Sequence, residues 1–499
     1  MANSLALNNV FVLRDIINAA SPKFGAVPYS TRTAALAGTD STAAITAALA
    51  TGKNVFLPLG YYKWTGGVTM NKVGQQLIGS GTTDATGTSV AGTCLVKASG
   101  TGACLTLTQT DNRVEGITFD GNSLAGNQLY VHGTKYSEFS NLGFTGQGGT
   151  DYAVLVDATA NLNSYRNLSF ADGCYGDLKV DGALYQDFYS LRGGSVTSNT
   201  AIDLGASTQT SGINFYGTYM EGKILCSGNA SSIRFNGLQQ EAVTATQCFQ
   251  VAGSEDVSIT DWRMTRGAST SNIIDIDTAA INVRIKGWHV RDTASLAAQG
   301  QLGIDGGCFQ ISIEDVDVYS NNAFTWGMTS TVSSSISMKN VNSRSGGAGT
   351  VTIKGTYVTL ENSNFAVAFS AGADQLTLTN VSGAITRTNA TALACVNCSG
   401  DTSPVTTLTA NSTTPSVAMA ARGVVTMFKT ANSAPTTVSS FTNATTGMTI
   451  QVNVNDANTT IDFSGTTLKG NAGSDWSPAL NDSMQCTYDG TNWYCVLSK

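Results

Sequence analysis

Four short segments of one pattern follow one another in mid-chain and hold most of its candidate chemistry. They are Gly217-Thr-Tyr-Met-Glu221, Gly237-Leu-Gln-Gln-Glu241, Asp261-Trp-Arg-Met-Thr265 and Gly287-Trp-His-Val-Arg291. Glu221 and Glu241 occupy the same place in consecutive copies. If the copies stack as parallel strands, their backbones lie about 4.8 Å apart and the carboxyls form a pair. Paired carboxylates are the apparatus of glycoside hydrolysis: one protonates the leaving oxygen, the other attacks or activates water. Side-chain splay leaves retention (~5–5.5 Å between carboxyls) and inversion (~6.5–9.5 Å) both open. Two solvating glutamates on an exposed face is the bland reading of the same spacing.

Arg263, Arg266, His289 and Arg291 make a basic end to this patch, suited to an acidic sugar. They also permit β-elimination, with an arginine neutralising a uronate carboxylate while His289 or Tyr219 takes the adjacent proton. Tyr189, Tyr219, Gln239, Asp317 and Tyr319 complete the expected binding face. Asp120, Asp203, Asp275, Asp277 and Asp292 are competing outward acids. His132, in Tyr130-Val-His-Gly, reads as structural.

What must position these groups is a repeat. From residue 112 a kernel recurs: apolar, any, Asn/Gly/Asp, apolar, any, apolar. Its third position falls at Gly116, Asn141, Asn167, Asp187, Gly217, Gly237, Asp261, Gly287, Asp315, Asn340, Asn362 and Asn380, at a mean interval of 24 residues. A fixed kernel with variable spacing is the mark of a solenoid with loops of different length. Asn, Gly and Asp tolerate left-handed backbone, so the chain can bend there on every coil. Runs such as AIDLGA, FQVAGS and IIDIDT precede most kernels and supply a further strand per coil. Alternation sends the first and third residues after the bend inward, and the second and fourth outward. Trp262 and Trp288 are therefore core. Outward residues before Asp187 are small (Thr118, Gly143, Ser169, Thr145, Ala171). Later ones are large and polar, with Tyr189, Leu191 and Tyr219 exposed.

Composition agrees. The 499 residues include 53 Gly and 7 Pro, and only 12% are charged, about half the ~25% usual for globular proteins. Many strands with tight turns suit that balance. A net charge of −7 argues against nucleic acid or anionic lipid as partner. No run of 18 apolar residues predicts a membrane span, and the N-terminus lacks the features of a signal peptide. The ten cysteines are scattered, which favours buried thiols. Cys395-Val-Asn-Cys398 has metal or redox spacing but no companion ligands, so no metal and no cofactor are expected.

Val10 to Ala20 has the pattern of a short helix ended by Pro22, and Asp40 reads as the N-cap of a second helix stopped by Gly52. Phe24-Gly-Ala-Val27, Asp40-Ser-Thr-Ala-Ala-Ile45 and Val55-Phe-Leu-Pro58-Leu-Gly60-Tyr-Tyr62 resemble the entrance of the pectate-lyase-like β-helix superfamily, in particular bacteriophage tailspikes and capsule depolymerases. The resemblance covers about forty residues and holds no catalytic group. It implies an all-β, right-handed parallel β-helix, of about 12 rungs by the kernel count, assembled as a homotrimer. It also implies a place on the phage tail and action on a host cell-surface polysaccharide.

The kernel stops at Pro404. Beyond it Tyr488 faces Trp493, Cys486 faces Cys495 and Met484 faces Leu497 across Asp489-Gly490, an antiparallel hairpin with one buried face. Cys486 and Cys495 are there either as a cross-strand disulfide or as two buried thiols. Residues 1–22 are read as a virion-attachment segment toward a tail or adaptor protein. Residues 23–111 are the β-helix entrance, 112–404 the β-helix, and 405–499 a small antiparallel β domain similar to tailspike trimerisation domains.

Overall fold

The computed structural model describes residues 16–83, 91–194, 200–242, 248–266, 273–277, 279–292, 299–304, 307–320, 324–328, 335–343, 350–353, 357–364, 366–369, 375–381, 385–387, 393–396, 406–417 and 425–498. The chain is an all-β parallel solenoid with a C-terminal sheet, and it divides into two units at about residues 275–295.

In the first unit, one sheet stacks Arg113–Leu124, Glu138–Gln147, Ser164–Phe170, Leu184–Tyr189, Thr210–Tyr216, Ala230–Asn236 and Glu255–Arg266 in parallel register. A second runs through Leu129–Val131, Tyr152–Asp157, Gly176–Asp181, Thr200–Leu204, Lys223–Cys226 and Phe249–Ala252. Inward side chains repeat from coil to coil. Phe139, Tyr165, Phe188, Phe215 and Phe235 stack at 4.4–4.8 Å between successive ring centroids. Each such contact is worth about 0.5–1.5 kcal/mol beyond burial.

Eleven of the twelve kernel centres have positive φ, between 49° and 68° or, at Gly237, 72°. The exception is Asp187: that coil bends at Ser190, φ 53°. Serine is outside the Asn/Gly/Asp set, so the pattern locked onto an aspartate three residues too early. A second corner escaped the sequence altogether. Tyr136, Leu162, Tyr185, Gly212, Ser232 and Asp256 align there with φ of 51–71°, and two exposed tyrosines and a leucine carry no turn signature.

At the entrance, Ile16–Asn18 is a strand paired with Asn54–Leu57 rather than part of a helix. Pairing with a buried neighbour overrides the local helical pattern there. The helix Thr42–Ala50 has Ser41 at its N-cap, with Asp40 Oδ1 accepting from Thr42 N at 2.9 Å. An additional helix, Arg32–Ala37, precedes it.

The second unit has parallel coils of its own, with Phe309–Ser320, Ser335–Ser343, Tyr357–Ser363, Gln375–Val381 and Leu393–Val396 in one sheet. Their bends are joined by side-chain amides: Asn340 donates to Asp315, Asn362 to Asn340 and Asn380 to Asn362, at 2.8–3.0 Å. A six-stranded sheet follows. Its terminal hairpin has the expected register, Tyr488 to Trp493, Cys486 to Cys495 and Met484 to Leu497, and the two cysteines are disulfide-bonded. Cys94, Cys104, Cys174, Cys226, Cys248 and Cys308 are buried thiols outside any disulfide.

Candidate active site

Tyr219 pairs with Gln239 and Met220 with Gln240, so the residues that follow, Glu221 and Glu241, are neighbours on adjacent coils. Both are half-buried on the outward face. Between them lies the Tyr219 hydroxyl, 2.8 Å from Glu221 Oε1 and 3.1 Å from Glu241 Oε2. A phenol has one proton and donates to one carboxylate at a time. The second contact is satisfied when the other carboxyl holds a proton and donates to the phenol oxygen. Burial, reinforced by the hydrogen bonds to Glu221 and Glu241, pushes the Tyr219 phenol well above its ordinary pKa.

The shifted bend at Ser190 corrects the reading of its coil. Leu191 is fully buried, not exposed. Tyr189 precedes the bend, in register with Arg166 and Tyr216, and Arg192 takes the place beside Tyr219. The outcome is a ladder: the Arg166 guanidinium 4.3 Å from the Tyr189 ring centre, and Tyr189 stacked on Tyr216 at 4.9 Å and 11°. Arg192 lies 5.7 Å from the Tyr219 ring centre. Sequence reasoning missed Arg166, Arg192 and Tyr216.

Gln239 and Arg263 are exposed and paired in register. Trp262 and Trp288 are core, stacked at 5.3 Å, which sets the following residues, Arg263 and His289, on matching outward positions. His289 and Arg291 are exposed. The side chain of Arg266 lies outside the described residues. Asp317 and Tyr319 belong to the second unit, half-buried and exposed respectively. Of the competing acids, Asp120 is buried and engaged by Arg32, and the side chain of Asp292 is outside the described residues.

A further acid was not anticipated. Asp177 is fully buried, and neither carboxyl oxygen has a hydrogen-bond partner among the described residues. Burial, then the charges of Asp172 and Glu221, push its pKa well above the carboxylate range. It occupies a gap in the interior column Phe119, Phe144, Phe170, where the next coil has Gly193. A Cβ on Gly193 would sit 2.5 Å from Asp177 Oδ2 and 2.4 Å from Met220 Cε. The break from phenylalanine to glycine was the available signal.

On the other sheet His132 Nδ1 and the Tyr130 hydroxyl both lie 2.5 Å from Asp157 Oδ2. Thr159 donates to Oδ1 at 3.0 Å. Burial opposes ionisation of Asp157, but these hydrogen bonds outweigh it and lower its pKa. His132 thus ties two coils together, in keeping with a structural role. Among the described residues no cluster of three or more His, Cys, Asp or Glu is placed to hold a metal ion. Cys395-Val-Asn-Cys398 lies partly outside them.

These features define a parallel β-solenoid with a tyrosine-bridged glutamate pair on its outward face. No family model and no curated protein matches the chain. Among solved structures it is similar to the Dettilon tailspike protein, at 12% identity over 74% of this chain and 68% of that one, TM-score 0.46. It is also similar to PfbA, a surface adhesin of Streptococcus pneumoniae, at 11% identity over 77% and 92%, TM-score 0.40. A third is DFA-IIIase from Arthrobacter chlorophenolicus A6, at 10% over 73% and 94%, TM-score 0.40. At such identities the likeness concerns the fold alone.

Proposed function

We propose that this chain is a tailspike-type protein that binds a host surface polysaccharide and cuts it by endo-glycosidic hydrolysis at Glu221 and Glu241. The observation that carries the reading is the single phenol held between the two carboxyls. With one proton in the pair, the protonated carboxyl gives it to the glycosidic oxygen, and the ionised one attacks the anomeric carbon or activates water to attack it. After direct attack, water displaces the sugar from the carboxyl and returns the proton. The contacts of 2.8 and 3.1 Å to one oxygen cap the separation of the nearest carboxyl oxygens at 5.9 Å. The carboxyl groups themselves stand further apart than their nearest oxygens, so retention at about 5–5.5 Å and inversion at about 6.5–9.5 Å both stay open.

Elimination is less well supported. Tyr219, one of its two candidate bases, is engaged by both carboxyls and holds its proton more tightly than a free phenol. The Tyr189–Tyr216 ladder, one bend away, offers the stacking surface a pyranose needs. Homotrimerisation, attachment to the tail through residues 1–22, and action at the host surface belong to the same proposal.

The test is product mass after incubation with host polysaccharide. Hydrolysis adds one water per cut, elimination adds none, and an unchanged polymer indicates binding only. Full activity in both Glu221→Gln and Glu241→Gln would move the chemistry elsewhere, and a monomeric mass by light scattering would refute the trimer.

A further inference from the structure

The hydrolase reading leaves unassigned the cations that follow the glutamate pair. Arg263 stands one coil beyond Gln239, in direct register with it. His289 and Arg291 stand one coil further, and Arg291 has the same offset from its bend, Gly287, as Glu241 has from Gly237. Arg291 is therefore about 10 Å along the axis from Glu241, two strand spacings. Before the bends the same strands expose Arg234, Arg284 and Lys286. The acids among them are Glu255, Asp256 and Asp261, also exposed.

The side chains of Arg263, His289 and Arg291 make no hydrogen bond or ion pair with any described residue. In a chain of net charge −7 with 12% charged residues, a face gathering this many cations is a departure from the rest of the surface. A guanidinium fork matches a carboxylate or phosphate in two parallel hydrogen bonds, so its natural occupant is an anionic group. A glycan lying along the axis advances by roughly one sugar per strand spacing. The anionic group that reaches Arg263 or Arg291 thus belongs to a sugar one or two residues from the cut bond, not to the sugar being cut.

We infer that the substrate is an anionic polysaccharide whose acidic sugar docks at Arg263 and Arg291, one to two coils beyond the glutamate pair. This rests on the hydrolase reading only for the position of the cut; the docking itself is independent of it. The offset also explains why cations and glutamates coexist on one face without pairing. Arg263 and Arg291 are turned to the next sugars along.

The experiment uses the full chain and arrayed bacterial capsular polysaccharides, acidic and neutral. Acidic binders are retested after carboxyl reduction and, separately, after removal of phosphate esters. Binding is measured at low and moderate salt with wild type and the Arg263→Ala/Arg291→Ala variant. Expected is binding confined to acidic polymers and weakened by salt, with affinity falling about 10–100-fold in the double variant, the worth of one or two charged hydrogen bonds. Loss of binding on carboxyl reduction identifies a uronate-type group; loss only on dephosphorylation identifies a phosphate. Binding of neutral polymers alone, of neither set, or equal binding by the double variant would overturn the inference. Arginine-dependent binding without any cleavage would uphold the docking site and refute the hydrolase reading, so the two failures are separable.

Discussion

Replacing Asp177 with asparagine should stabilise the protein, and increasingly so as pH rises. The carboxyl is fully buried without a hydrogen-bond partner among the described residues. Burial, Asp172 and Glu221 raise its pKa well above the ordinary value. Below the unfolded-state pKa, about 3.9, the folded and unfolded chains both carry the proton and the group contributes nothing. Above it the unfolded chain releases the proton while the folded chain keeps it. Wild type then loses about 1.4 kcal/mol per pH unit until the folded group ionises as well. Asparagine does not titrate, so the gap opens with pH. Two pH units give about 2.7 kcal/mol, or roughly 4–5 °C in melting midpoint for the first unit, Met1–Asp275 with Val283–Ala294. Melting curves of both proteins from acid to neutral pH measure it. A gap that stays constant, or closes as pH rises, would refute the account, because Asp177 would then be ionised and paired.

Glu221→Gln and Glu241→Gln should each cut turnover at least ~100-fold with little change in polysaccharide affinity, as expected for groups acting on the transition state; parallel rate and binding measurements separate the two. Ala at both Tyr189 and Tyr216 should instead weaken binding by roughly 5–50-fold and spare turnover at saturation, about 1–2 kcal/mol of lost stacking, read by titration calorimetry. Gly217→Ala should cost about 1 kcal/mol: its φ is 62° but nothing lies within 4 Å of an added Cβ, so strain acts alone. Gly217→Asn should cost less, since asparagine holds this bend on other coils. Reducing Cys486–Cys495, which closes a loop of sequence separation 9, should lower stability of the terminal hairpin by about 2–3 kcal/mol, seen as faster amide exchange across 483–498.

Much of the fold was legible because a bend that needs positive φ recruits few residue types. Gly116, Asn141 and Asp261 announce theirs, and inward alternation then placed Trp262 and Trp288 in the core. The same logic misled at Ser190, where a residue without that preference is held in the left-handed region by its neighbours. An aspartate nearby fitted the pattern and moved Tyr189 and Leu191 to the wrong columns. The glutamate pair was legible from its repeat position. Its tyrosine bridge was not, because Tyr219 lies on the Glu221 coil and reaches across to Glu241. Asp177 was missed for a related reason: what it faces, Gly193, is 16 residues away in sequence and one coil away in space.

The bends of the first unit work as a one-dimensional lattice. Any two outward side chains at equal offset from their bends are separated by a whole number of strand spacings, whatever the loops between them do. Loop length is thereby uncoupled from the geometry of the glutamate pair, and a sequence separation of 20 between Glu221 and Glu241 serves as well as a longer one would. Exchange of an entire coil, cut from bend to bend, would move a charge or a ring along the axis in fixed steps. The distance between the glutamate pair and the proposed docking arginines would then become an adjustable register, set by how many coils are inserted between them.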